Sequence, residues 1–240
     1  MLQLDANMLE LLAADPQKFQ GDFIEPQFFP APSNLVEDRK EIERFGLVLQ
    51  QLLMGLPVEP LLQAYPKIAG WIDRVLPIAS VPARTKQVNT WRQKLIQGAL
   101  IIAHYDLLIL GDQKAIVVNW RSDRNIPRSG QLENSWEAQL QLFLLTETEE
   151  ILPNNVSLIY CFFDSGKYPT LNRFSYDREK YDAFKQRLEM ALSNLPSNLI
   201  DDSDYSFHQP IDEAEINLQR LFDGEITAHE YLELISEVEI

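Results

Sequence analysis

Residues 99–110 read ALIIAHYDLLIL, Gly111-Asp112 follows, and Lys114–Trp120 reads KAIVVNW. Both runs are dense in β-branched and other apolar residues and short enough for strands, and the Gly-Asp pair between them is a turn signal. A hairpin is the expected result. Folded so, Asp106 in the first strand and Asn119-Trp120-Arg121 in the second reach a common edge. A carboxylate, an amide and a guanidinium there form the chain's main polar constellation.

The pattern changes period on either side. Downstream, residues 121–130 form a polar loop with Pro127 and Gly130. Residues 131–150 read as a helix with Leu132, Trp136, Leu140, Phe143 and Leu144 on one face. Val156–Phe163 reads as a buried strand and Leu171–Tyr176 as another. Asp177 is a good N-cap for a helix at 178–194. Upstream, residues 87–97 look extended and amphipathic. Before them, residues 3–20 read as a helix interrupted at Asp15-Pro16. Residues 21–34, with Pro26, Pro30 and Pro32, form an irregular connection. Residues 35–55 form a strong helix ended by Gly55 and Pro57. Residues 59–75 are helical with an interruption at Pro66, and Pro77 and Pro82 mark a break. The expected order is helix, three strands, helix, strand, helix. One α/β domain is expected over 1–195, including an N-terminal helical region over 1–85. A linker at 196–210 and an acidic helical hairpin at 211–240 follow, the latter with Asp223-Gly224 at its turn. In that hairpin Thr227 and Glu230 have capping-box spacing.

Composition narrows the class. With 240 residues, 45% of them hydrophobic, the chain has enough apolar mass for one substantial core. Its one cysteine, Cys161, excludes an internal disulfide and a cysteine-based zinc site. The amino-terminal residues lack a signal-peptide pattern, and the longest apolar stretches are too short or too interrupted to span a bilayer. A soluble cytoplasmic protein is the expectation. The net charge is −15, of which residues 201–240 carry −11 through twelve acids and one arginine. Neither part offers the overall basic character that phosphate neutralisation calls for, so a protein partner is favoured over nucleic acid. The stretch holding Arg84, Lys86, Arg92, Lys94, Arg121, Arg124 and Arg128 is the one local candidate for a basic patch.

Metal-dependent phosphodiester cleavage needs hard-oxygen ligands, mostly carboxylates, around a divalent cation that activates water. The order of elements and five short motifs resemble the RecB-like branch of the PD-(D/E)XK nuclease superfamily over about residues 9–192. Tyr105-Asp106 is similar to that branch's first catalytic strand. Val118-Asn119-Trp120-Arg121-Ser122 is similar to its Ile-Asp-Tyr/Trp-Lys-Thr strand, and Gln139 to Phe143 to its Gln-x-x-x-Tyr helix. Leu11 to Phe19 resembles its Leu-x-x-Cys-Pro-x-x-Phe opening. Phe45 to Gln50 resembles its Gly-x-x-x-His helix, with Leu49 in the histidine's place. The resemblance implies a restriction-endonuclease-like α-βββ-α-β core. It also implies a catalytic set of Asp106, Asn119, Arg121 and Gln139. The metal ligands would be Asp106, Asn119 and the Trp120 backbone carbonyl, holding Mg2+ or Mn2+ if the protein is active.

The departures from the family pattern bear on function. Asn119 brings no negative charge where the family has an acid, and Arg121 is a planar fork where the family has a lysine. Three readings stand open. One is a non-catalytic or weakly catalytic nuclease-fold protein that binds or scaffolds, with no cofactor and with residues 211–240 toward a protein partner. Another is an active divalent-metal-dependent DNA nuclease. The third is an unrelated α/β interaction module. Arg121 pairing with Asp106, in place of a metal's charge, is a further expectation. His104 should share a face with Asp106, where a ligand or general-base role is open to it, although a solvated or hydrogen-bonded strand histidine is the favoured reading. Cys161 should be inert core, and Trp120 should pack inward.

Overall fold

A computed structural model of the chain describes residues 2–24, 36–121, 128–163 and 169–196. The hairpin expected at 211–240, and the linker beyond residue 196, lie outside the described residues. Leu2–Ile200 forms one compact unit. Its elements are β1 (Gln3–Leu4), α1 (Ala6–Ala14), α2 (Pro16–Phe19), α3 (Val36–Leu53), α4 (Glu59–Ala64) and α5 (Pro66–Ala79). The three central strands follow: β2 (Thr85–Ile96), β3 (Ala99–Leu110) and β4 (Ala115–Arg121). Then come α6 (Ser129–Glu133), α7 (Trp136–Glu149), β5 (Val156–Phe162), β6 (Thr170–Ser175) and α8 (Arg178–Leu192). The expected α-βββ-α-β order is present in a mixed six-stranded sheet.

Local chemistry explains the connections. Gln97 and Gly98 both take positive φ, 49° and 81°, which gives the two-residue turn that suits twisted antiparallel strands β2 and β3. Gly111 N–H closes the next turn on the Lys114 carbonyl at 2.8 Å. Strands β3 and β4 pair antiparallel, whereas β4 and β5 pair parallel, with α7 lying in the connection between them. The strand order is β1-β3-β4-β5-β6, and β2 also pairs with β3. Asp177 caps α8 as expected, accepting from Lys180 N–H at 2.9 Å.

Helices cover both faces. On one face Leu9 and Leu12 of α1, most of α7 and Leu188 of α8 pack on Tyr105, Leu108, Val117 and Tyr160. On the other, Phe45 and Leu49 of α3 and Ile72 and Val75 of α5 pack on Leu107, Ile109, Val118 and Cys161. Phe163 stacks on Trp71 at 4.2 Å and meets Phe45 edge-on at 4.7 Å.

Residues two apart along a strand normally share a face. Strand β3 breaks that rule. Ala99, Ile101, Ala103 and Tyr105 belong to the first core, yet Leu107 and Ile109 belong to the second. The reversal falls at Asp106. In β2 the facing position is Asn89, which takes a left-handed φ of 53°. Pairing runs continuously except there, passing from Val88↔Leu107 to Thr90↔Tyr105. A local change of twist thus presents Asp106 differently from the apolar residues on either side of it.

Several sequence expectations need adjusting. Gln3 and Leu4 are a strand, not the start of a helix, because β3 offers a parallel partner at Leu100 and Ile101. The helix expected over 131–150 is two helices. It breaks at Asn134-Ser135, where the Ser135 hydroxyl caps α7 by accepting from Ala138 N–H. Pro77 does not end the helix before it, since α5 runs on to Ala79. Only the last turn is affected, where few i→i−4 bonds remain to lose.

Candidate functional site

Asp106 sits where β3 and β4 part. Their pairing ends at Leu107↔Val118. Beyond it, the Asp106 carboxylate accepts the Trp120 N–H at 2.8 Å, so a side chain takes over where the backbone ladder stops. Burial, partly offset by that bond and by the nearby Arg121 charge, pushes the Asp106 carboxyl up to about 6. His104 lies on the same side, as expected, with Nδ1 3.7 Å from Asp106 Oδ1. Its Nε2 meets Asn89 Oδ1 at 2.6 Å, and burial lowers its pKa.

Asn119 is almost wholly buried and works through α7. Its Nδ2 donates to Gln141 Oε1 at 2.7 Å, and Gln141 Nε2 donates to the His104 carbonyl at 2.7 Å. The Gln141 carbonyl accepts the Tyr105 hydroxyl at 2.8 Å. Gln141 therefore ties together the two strands that carry Asp106 and Asn119. Two buried polar atoms here, Asn119 Oδ1 and the Tyr160 hydroxyl, make no well-formed hydrogen bond among the described residues, although the Asn119 and Ser135 side chains lie near enough to act on the Tyr160 hydroxyl.

Arg121 forms an ion pair with Glu137, in the first turn of α7, and its guanidinium lies 5.2 Å from the centre of the Tyr160 ring. Where pairing with Asp106 was expected, the Arg121 guanidinium is bonded to Glu137, and its charge acts on the Asp106 carboxyl through space. Trp120 packs inward, 5.2 Å edge-on from Phe45 and against Gly46. Cys161 is buried, and burial pushes its thiol up to about 12, as suits a core residue.

Gln139 is placed differently from the rest of the expected set. It is buried, and its Nε2 donates to the Glu133 carbonyl at the end of α6, at 2.6 Å. Two residues along a helix rotate by about 200°, so Gln139 and Gln141 address opposite sides of α7. The glutamine that reaches the two strands is Gln141. Counted from Gly46, the histidine's place in Gly-x-x-x-His falls on Gln50, exposed on α3, and not on Leu49, which is fully buried.

Sequence reading missed Glu137 and Gln141. A weak signal for Gln141 was present: a second glutamine within an otherwise apolar run, Leu140 to Leu145, has to find a buried partner. Nothing local marks Glu137, because its role exists only once α7 crosses the end of β4.

A magnesium-like cation is held by several hard oxygens with carboxylate charge prominent among them. Here the donors are one carboxylate, already bonded to a backbone N–H, and one neutral amide, with a guanidinium close by. Among the described residues no three His, Cys, Asp or Glu side chains form a metal-holding group. This donor set does not fit Mg2+ or Mn2+ well. What it can do chemically is hold two strands and α7 in register through neutral amides.

No family model matches the sequence. No curated protein matches it either. Among solved structures, the "Putative exonuclease" of Eubacterium rectale is similar over 99% of this chain and 90% of its own, at 8% identity and a TM-score of 0.46. The protein SSO0001 is similar over 80% of this chain and 86% of its own, at 10% identity and a TM-score of 0.31. At such identity no residue role passes from either protein to this chain. Among the described residues no helix is long and apolar enough to cross a membrane.

Proposed function

We propose that this chain is a binding or scaffolding protein on a nuclease-type α-βββ-α-β core, non-catalytic or nearly so. The observation that carries the reading is the amide relay from Asn119 through Gln141 to the His104 carbonyl. At the position where the RecB-like pattern places a second acidic ligand, this chain puts a neutral group engaged in joining strands to α7. Arg121, at the lysine's position, is engaged with Glu137. Both residues have structural partners, and fold alone does not confer chemistry. The partner we propose is a protein, with the acidic residues 211–240 as one contact, because their charge repels phosphates and suits a basic surface.

The second reading is a Mg2+- or Mn2+-dependent DNA nuclease. The observation in its favour is Asn119 Oδ1, a buried oxygen without a well-formed hydrogen bond among the described residues. Calorimetric titration of the full chain with Mn2+ and Mg2+, beside an Asp106→Ala variant, separates the two. The binding reading expects no difference between the two proteins and no cleavage of single- or double-stranded DNA. Metal binding that disappears in Asp106→Ala, together with EDTA-sensitive cleavage, would overturn it.

A further inference from the structure

A groove of about 640 Å3 runs along the start of β2 and reaches Asn89, the residue opposite Asp106. Its floor is formed by the consecutive residues Ala83 to Thr90. A sheet face would offer alternate residues, whereas a strand edge offers all of them. Among the described residues β2 pairs with β3 alone, so the groove lies along an edge that no other described strand covers. The opposite wall is the end of α3, with Gln50, Leu53 and the strongly exposed Met54.

An edge strand facing a helix is the arrangement in which an extended peptide adds as a further strand. Main-chain hydrogen bonds then give affinity, and the walls select alternate side chains. The charged residues lining the groove are Arg84 and Lys86, both cationic. Arg84 has only a long contact to Glu149, 3.6 Å, and Glu149 is bonded more closely to Arg92 at 2.7 Å. Lys86 makes no ion pair with any described residue. Leu53 and Met54 supply the apolar side.

We propose that the edge running from Arg84, just before β2, to Val88 is a strand-addition site for an extended acidic segment of a partner protein, its acids toward Arg84 and Lys86 and its apolar side chains toward Leu53 and Met54. The left-handed Asn89 ends the regular edge and limits the footprint to about five residues, roughly 17 Å. That limit also guards against indefinite edge-to-edge pairing, for which an exposed strand is otherwise a template. The site adjoins Asp106 through Asn89, which lies opposite it and bonds His104, but its test changes only Arg84 and Lys86, so its failure leaves the reading of that centre untouched.

The test pans a phage-displayed library of short random peptides against the full chain and titrates the enriched peptides by fluorescence anisotropy. Acid-rich sequences should be enriched. Their affinity should fall about tenfold or more against an Arg84→Gln/Lys86→Glu variant whose circular dichroism matches the parent. N-methylation of alternate peptide amides should abolish binding, because it removes the ladder hydrogen bonds while leaving the charge. The proposal is overturned if no peptide is enriched, or if binding survives both changes. It is equally overturned if the same double variant abolishes self-association in sedimentation, or single-stranded oligonucleotide binding, while peptides do not bind. Those results would assign the edge to a second copy or to nucleic acid.

Discussion

Asp106 shows how one side chain converts a topological defect into an electrostatic property. It occupies the point where β3 and β4 separate, and burial raises its carboxyl from 3.8 in the open chain to about 6. An acid whose folded pKa is raised favours folding when protonated. Its contribution is fully present below pH 3.8 and is lost as the pH rises through 6, a change of about 3 kcal/mol. Asp106→Asn keeps an acceptor for the Trp120 N–H and removes the ionisation. Urea unfolding should therefore show this variant about 1–3 kcal/mol more stable at pH 7, with little difference at pH 4. Equal stability changes at both pH values would contradict the burial argument. The Asn119–Gln141 pair makes a second residue-scale prediction. Gln141→Leu leaves the Asn119 amide and the His104 carbonyl unpaired and should cost about 2–4 kcal/mol. Adding Asn119→Leu should recover part of that loss, since removing both partners costs less than stranding one. A double-mutant cycle by urea denaturation measures the coupling directly.

At the scale of elements, α7 organises the molecule. Nine of its residues, Trp136 and Ala138 to Leu145, are buried, so it has no strongly apolar side and no strongly polar one. A helix buried all round cannot be oriented by amphipathicity, and its polar residues must set its rotation instead. Gln141 does so toward β3 and β4, and Glu137 does so toward Arg121. At its far end, Glu147 and Glu149 hold Lys94 and Arg92 of β2, at 2.6 and 2.7 Å. The start of the helix depends on Ser135, whose hydroxyl accepts from Ala138 N–H and donates to the Leu132 carbonyl. Ser135→Ala should cost about 1 kcal/mol, the usual loss of an N-cap. It should also loosen the first turn, where Glu137 sits. Hydrogen exchange on Trp136 to Gln139 checks this, and unchanged protection there would show that packing alone fixes the turn.

At the scale of the whole molecule, charge and fold are unevenly shared. Residues 201–240 carry −11 of the total −15, while the described elements all belong to the compact unit Leu2–Ile200. That unit has cores on both faces of its sheet, Phe143, Tyr160 and Phe184 among the residues of one and Phe45, Trp71 and Phe163 among those of the other. A chain ending at Ile200 should therefore unfold cooperatively, with a melting midpoint within about 5 °C of the full chain. Circular dichroism melts of both forms test this. A broad, non-cooperative melt of the shorter chain would show that the acidic stretch contributes to the core. The shorter chain should also bind far less to polycations such as polylysine at low salt.

The sequence alone determined the order of elements, because the periods of ALIIAHYDLLIL and KAIVVNW, the Gly111-Asp112 turn and the Asp177 cap are local properties of the chain. It also singled out Asp106, Asn119 and Arg121, since polar residues among strand-forming apolar ones are rare enough to notice. Tertiary structure decided their partners. Glu137 meets Arg121, and Gln141 rather than Gln139 meets Asn119, only because α7 crosses the sheet at one rotation. The short strand at Gln3-Leu4 likewise exists only beside β3. The face reversal at Asp106 requires two strands to change twist together, at Asn89 and Asp106, and no window of a single strand contains that information. Local periodicity records which residues an element will bury; it does not record which neighbour will bury them.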